Sequence, residues 1–121
     1  MHKNNEGIFA MAELTKHEEI LLISILHLKE NAYGVFIRRH IKDTSGKQWN
    51  YGTLYRMLDQ LVKKGLLERK EGEPMPEKGG RRKNYYSLTK EGIRALQVAL
   101  ALQKVLWGKH TMIALENAGL A

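Results

Sequence analysis

Two short stretches hold the side chains best suited to chemistry. Asn50, Tyr51, Thr53, Tyr55 and Arg56 fall within seven residues and offer amide, phenol, hydroxyl and guanidinium groups. Such a set can hydrogen-bond the base edges and phosphate oxygens of a nucleic-acid duplex. Lys63 lies further along the same polar side. The second stretch, Lys78-Gly-Gly-Arg-Arg-Lys83, places the cations Lys78, Arg81, Arg82 and Lys83 within six residues. Charges crowded so closely repel one another unless a polyanion relieves them. Each stretch also has a plainer reading. Tyr51 and Tyr55 would cover the edge of a core, Arg56 would be a solvated charge, and the cation run would be a solvated loop. Arg56 is the strongest single candidate, for a guanine contact or a phosphate clamp.

Other chemistry is poorly served. The five histidines, His2, His17, His27, His40 and His110, are scattered. His17-Glu18 opens like a zinc-protease motif, but Leu21 occupies the position of the second histidine. Glu18 and Glu19 are adjacent, so on a helix they diverge and cannot act as an acid/base pair. Phosphate loops, dinucleotide fingerprints and nucleophile elbows are absent. The chain has no cysteine, which removes disulfides, thiolates and sulfur-based zinc sites. No catalytic residue, metal ligand or cofactor is therefore expected, and the chain does not read as an enzyme. No apolar run approaches the roughly 18 residues of a membrane span, and Met1–Glu6 lacks the apolar core of an export signal. The expectation is a cytoplasmic protein with no membrane partner.

The net charge is +7, and its distribution is uneven. Residues 1–46 carry six charges of each sign, whereas residues 47–92 carry eleven basic and six acidic. The excess sits where the two stretches lie.

The elements that must position them follow from periodicity. Thr15 and Glu18 form a capping box ahead of a helix whose Leu21, Leu22, Ile25, Leu26 and Leu28 give a broad apolar face. A second helix is expected over Tyr33–Lys42, with Asp43-Thr-Ser-Gly46 as its stop. A third runs from the cap Asn50 to about Lys64, with Leu54, Met57, Leu58 and Leu61 inward and the reactive set outward. Trp49, just before it, reads as a hydrophobic staple. Strands are expected at Leu66–Glu71 and Asn84–Leu88, the second with Tyr86 and Leu88 inward and Lys83, Tyr85 and Ser87 outward. A long loop carrying both prolines joins them. Thr89 caps a last helix to about Leu106, where Gly108 ends or kinks it. The fold expected is mainly helical: a winged helix-turn-helix with a long C-terminal dimerisation helix. Residues 1–13 form an arm or short helix, 14–89 the winged helix-turn-helix, and 90–121 the dimerisation helix and tail.

Tyr33-Gly34, YGTLYRMLDQLVKKGLLE (51–68) and GGRRKNYYSLTKEG (79–92) together resemble the PadR family of bacterial transcriptional regulators. The resemblance spans about Leu14–Leu106 and implies a dimeric repressor of a nearby promoter, with one C-terminal helix packed on the partner. Position 56 departs from it: Arg stands where many family members have proline, so contacts there do not carry over.

Ile93, Leu96, Leu100, Gln103 and Trp107 recur at spacings of three and four, a heptad-like seam. A second copy is the simplest partner, and a two-fold axis would match a palindromic operator in double-stranded DNA. Gln103 and Trp107 are also candidates for an effector pocket, since some relatives hold flat aromatic compounds between subunits. Alternatively, Trp107 is an interface anchor. The competing function is an adaptor whose winged-helix surface meets an acidic protein.

Overall fold

In the computed structural model, residues 13–75 and 81–119 of the chain are described; the expected N-terminal arm, apart from Glu13, lies outside them. Helix α1 (Lys16–Leu28) starts at the capping box. Thr15 Oγ1 accepts the Glu18 N–H at 3.1 Å, and Glu18 Oε1 accepts the Thr15 N–H at 2.9 Å. The other Glu18 oxygen receives the Lys64 ammonium at 2.5 Å, tying α1 to the end of the third helix. Leu21, Leu22 and Ile25 are buried, and Leu28 packs partly against them. Leu26, expected on the same face, is 49% exposed. It lies 100° of helical rotation beyond Ile25, past the edge of what the other elements cover.

A 3-10 turn (Lys29–Asn31) leads to helix α2 (Gly34–Ser45). This helix outlasts the expected stop by three residues. Thr44 and Ser45 remain helical and donate their hydroxyls back to the carbonyls of His40 and Ile41, one turn earlier. Gly46 closes it in the left-handed region, at φ 75°. Helix α3 (Tyr51–Lys63) is capped by Asn50 and buries Leu54, Leu58 and Leu61 completely.

Strands β1 (Leu67–Met75) and β2 (Arg81–Leu88) pair antiparallel, from Leu67 opposite Leu88 to Glu71 opposite Asn84. The register then shifts and pairing resumes with Pro74 opposite Arg82. Both strands thus extend beyond their expected limits. A two-stranded ribbon consists of edges only, where proline is tolerated, and Pro74 stands directly after the irregularity. Tyr86 is buried and Leu88 partly so, as expected. Tyr85 is half-buried against Tyr33, not turned out to solvent. The ribbon is anchored at its base by Tyr86 N–H to the Ala32 carbonyl, 2.8 Å.

Thr89 joins three elements. Its hydroxyl donates to Gly65 O at 2.6 Å and accepts the Gly92 N–H at 3.0 Å, capping helix α4 (Lys90–Leu106). Gly92, Ala95 and Ala99 form the buried face of α4. The single C-terminal helix and tail expected from the sequence are in fact two helices. The backbone leaves helical geometry at Trp107 and Gly108, then resumes as α5 (Lys109–Gly119). Thr111 Oγ1 donates to the Leu106 carbonyl at 2.6 Å across the break, which stabilises the new start.

Candidate nucleic-acid interface

The buried stripe of α3 fixes which side it shows to solvent. Tyr51 and Tyr55 are about two-fifths exposed, Arg56 is exposed and Thr53 half-buried. Asn50 Oδ1 accepts the Thr53 N–H at 2.7 Å, so its oxygen is committed to the cap and its amide N–H groups remain. Arg56 makes no hydrogen bond or ion pair among the described residues. Lys63 is exposed but stands roughly 18 Å along the axis from Tyr51 at 1.5 Å per residue. The structure therefore does not bring it into the N-terminal group. Between them Asp59 pairs with Arg69 of β1 at 2.8 Å, bracing α3 against the ribbon.

The tyrosines of α3 are held from behind. Their rings lie nearly parallel, 22° apart, with centroids at 6.1 Å. The Arg38 guanidinium of α2 lies 4.7 Å from the Tyr51 centroid, and Arg38 Nε donates to the Trp49 carbonyl at 2.7 Å. At the other end the Tyr55 phenol packs so tightly on Gly34 that a Cβ there would overlap its oxygen. Burial, then the neighbouring Tyr51, pushes the Tyr55 pKa up, so it stays a neutral donor at physiological pH. Trp49, expected as a staple, packs partly against the core and meets His17 of α1 edge-on at 5.2 Å. Arg38 escaped the sequence reading because it is thirteen residues from Tyr51 and belongs to another helix. Only the turn brings them together.

Of the ribbon cations, Lys78 lies outside the described residues. Arg81 opens β2 opposite Met75. Arg82 is half-exposed, with Nε 3.7 Å from a Glu71 carboxylate oxygen. Lys83 turns back toward the helices, its ammonium 4.0 Å from the Tyr33 ring centroid. Tyr33 in turn meets Phe36 at 4.4 Å, and Arg39 lies 5.7 Å from the Phe36 ring. Phe36 and Arg39 also lacked a sequence signal, because aromatic and basic residues on α2 fit an ordinary amphipathic helix, and Tyr33, the cap of α2, entered only through the family resemblance.

On α4, Ile93, Leu100 and Trp107 are 43%, 52% and 57% exposed; Gln103 is exposed and Leu96 half-buried. Gln103 and Trp107 also border an open cleft of about 490 Å³ between the end of α4 and the start of α1. Leu14, Lys16, Glu19, Leu102 and Leu106 share its lining. Among the described residues no helix is long and apolar enough to cross a membrane, and no three His, Asp or Glu residues group to hold a metal ion.

Three packed helices, a short turn between the second and third, and a two-stranded hairpin at the end of the third define a winged helix-turn-helix, in which α3 is the second helix of the helix-turn-helix. The chain belongs to the PadR-like family of transcriptional regulators, whose profile matches residues 22–98. That family is one of transcription factors, not of enzymes. The chain is similar to the complex structure of RosR from H. salinarum (29% identity, 93% of this chain and 97% of that one, TM-score 0.63). It also resembles a PadR-like transcription factor from Bacteroides fragilis (30% identity, 78% and 87%, TM-score 0.62). A third relative is a PadR family regulator from Clostridium difficile (28% identity, 85% and 97%, TM-score 0.56). No curated protein matches the chain.

Proposed function

We propose that this PadR-like regulator binds a palindromic operator as a homodimer and represses a nearby promoter. The carrying observation is the start of α3: Tyr51, Tyr55 and Arg56, which has no ion pair among the described residues, project from a helix whose opposite face is buried in the core. A helix so anchored can enter a major groove without rearranging, and its N-terminal residues then reach base edges. Arg81 and Arg82 of β2, with Lys78 shortly before them in the sequence, supply phosphate contacts, and the Ile93–Trp107 seam meets its symmetry mate.

A gel-shift assay on DNA upstream of the protein's own gene tests this. The wild type is expected to retard the fragment at physiological salt. Arg56→Ala should lose about tenfold or more in affinity if it reads a base. Alanine at Arg81, Arg82 and Lys83 together should flatten the salt dependence, by up to roughly 0.9 log units per lost phosphate contact. Unchanged affinity in both variants would rule the reading out, and a protein partner recovered without DNA retardation would favour the adaptor. Repression is separable: deleting the gene should raise output from a reporter on that promoter, whereas a fall would make the protein an activator. An aromatic effector is proposed for the cleft at Gln103 and Trp107. Its test is quenching of Trp107 fluorescence in a Trp49→Phe background by flat aromatic compounds that also release DNA.

A further inference from the structure

Arg38 is a half-buried cation beside the start of α3, and its contacts point inward. Its Nε–H is spent on the Trp49 carbonyl, in the turn that links α2 to α3. Its guanidinium plane is spent on the Tyr51 ring. Tyr51 stacks on Tyr55, and Tyr55 is stopped by the bare backbone of Gly34 at the first residue of α2. The four groups form a closed column running from α2 to α3 and back to α2. A tyrosine on an exposed helix turn would ordinarily exchange between rotamers, and immobilising it on binding costs free energy. Here the Tyr51 ring has the Arg38 guanidinium on one side and the Tyr55 ring on the other.

We propose that Arg38 is a positioning residue for recognition. Through its planar fork it holds Tyr51, and with it Tyr55, in the orientation that α3 presents to the groove, and so sets sequence specificity without reading a base. The proposal rests on the DNA-binding reading above. Lysine cannot replace Arg38 in this role, because an ammonium lacks both the flat face for the ring and the directed Nε–H. This separates positioning from a phosphate contact, where lysine would serve nearly as well.

The test uses Arg38→Lys and Arg38→Ala in the full chain, first without DNA. NMR of tyrosine-labelled protein should show the Tyr51 ring signals moving toward random-coil values in both variants. The methyl signals of Leu54 and Leu58 should stay in place as evidence that the core holds. A Tyr51 ring unmoved by either substitution overturns the column, whatever the protein binds. Next, affinities are compared for a duplex selected from a random library and for its scrambled version. Both variants should lose about tenfold of the discrimination between the two duplexes, the size of one lost base contact. The salt slope and the scrambled-duplex affinity should stay unchanged. If Arg38→Lys binds like wild type, or if Arg38→Ala weakens both duplexes equally and lowers the slope by about 0.9, Arg38 is a phosphate contact and the proposal fails. A wild type without preference between duplexes overturns the DNA reading, and the specificity role with it, even if the Tyr51 ring moves as expected.

Discussion

Glu18 shows how one side chain can serve two structural ends. Its carboxylate closes the capping box on Thr15 and receives Lys64 from the end of α3. Burial pushes its pKa up, but the hydrogen bond from Lys64, the Thr15 backbone N–H and the charge of Lys64 outweigh it, leaving a value below the ordinary one. A depressed carboxylate contributes stability that is present above the unfolded-state pKa and is lost as the pH falls through the folded-state one. Glu18→Gln should therefore cost about 1–2 kcal/mol near neutrality: the glutamine oxygen can still accept the Thr15 N–H, but the charged hydrogen bond with Lys64 is lost. The deficit should shrink below a pH of about 4, where wild-type Glu18 is itself being protonated. Urea unfolding of both proteins across this range checks it, and a constant gap would show that the charge contributes nothing. The capping box was legible from sequence spacing alone. Lys64 was not, because the contact joins residues 46 positions apart.

Between elements, the informative residues are those that allow close approach. Gly92 reads in sequence as a weak point in the first turn of α4. In the fold it lies beneath the Leu66 carbonyl, where any Cβ would collide with backbone. Gly→Ala in a helix normally stabilises by about 1 kcal/mol. At Gly92 the expectation reverses: Gly92→Ala should destabilise by roughly 1–3 kcal/mol, since backbone on both sides must shift. Gly52→Ala in α3 is the control, because a Cβ there meets only the Asn50 side-chain oxygen at 3.4 Å. Thermal unfolding should lower the midpoint for the first and leave the second unchanged or raised. The same distinction explains which elements were readable. Alternation and capping exposed α1, α3, α4 and the base of the hairpin, because those signals lie within a few residues. The longer strands, the extra turn of α2 and the start of α5 go with back-bonds from Thr44, Ser45 and Thr111 and with pairing across the ribbon. A residue-type pattern reads the same whether or not those bonds form. The reactive groups of α3 were legible for the same local reason, while Arg38, Tyr33 and Phe36 became part of the site only through tertiary packing.

For the molecule as a whole, the exposed apolar surface of the C-terminal helices calls for a partner. The core face of α4 is made of Gly92, Ala95 and Ala99, small enough for the helix to lie close to its neighbours. The larger apolar residues Ile93, Leu100, Leu102, Val105, Leu106 and Trp107 are left out in solvent, and Met112, Ile113 and Leu115 of α5 continue the band. So much exposed apolar surface along two successive helices is unusual for a monomer. The proposed homodimer covers it and sets two copies of α3 about one DNA turn, roughly 34–36 Å, apart. Leu100→Glu tests this with little risk to the fold, because Leu100 is already half-exposed in the single chain. The expected outcome is a sedimenting monomer at concentrations where the wild type is a dimer, with unchanged helical content by circular dichroism. Affinity for a palindromic duplex should fall by a factor on the order of 10², because the second half-site is no longer tethered to the first. Binding to a single half-site should match the wild type. A Leu100→Glu protein that stays dimeric would move the interface away from this seam, and α5, with no buried residue of its own, would be the next place to substitute.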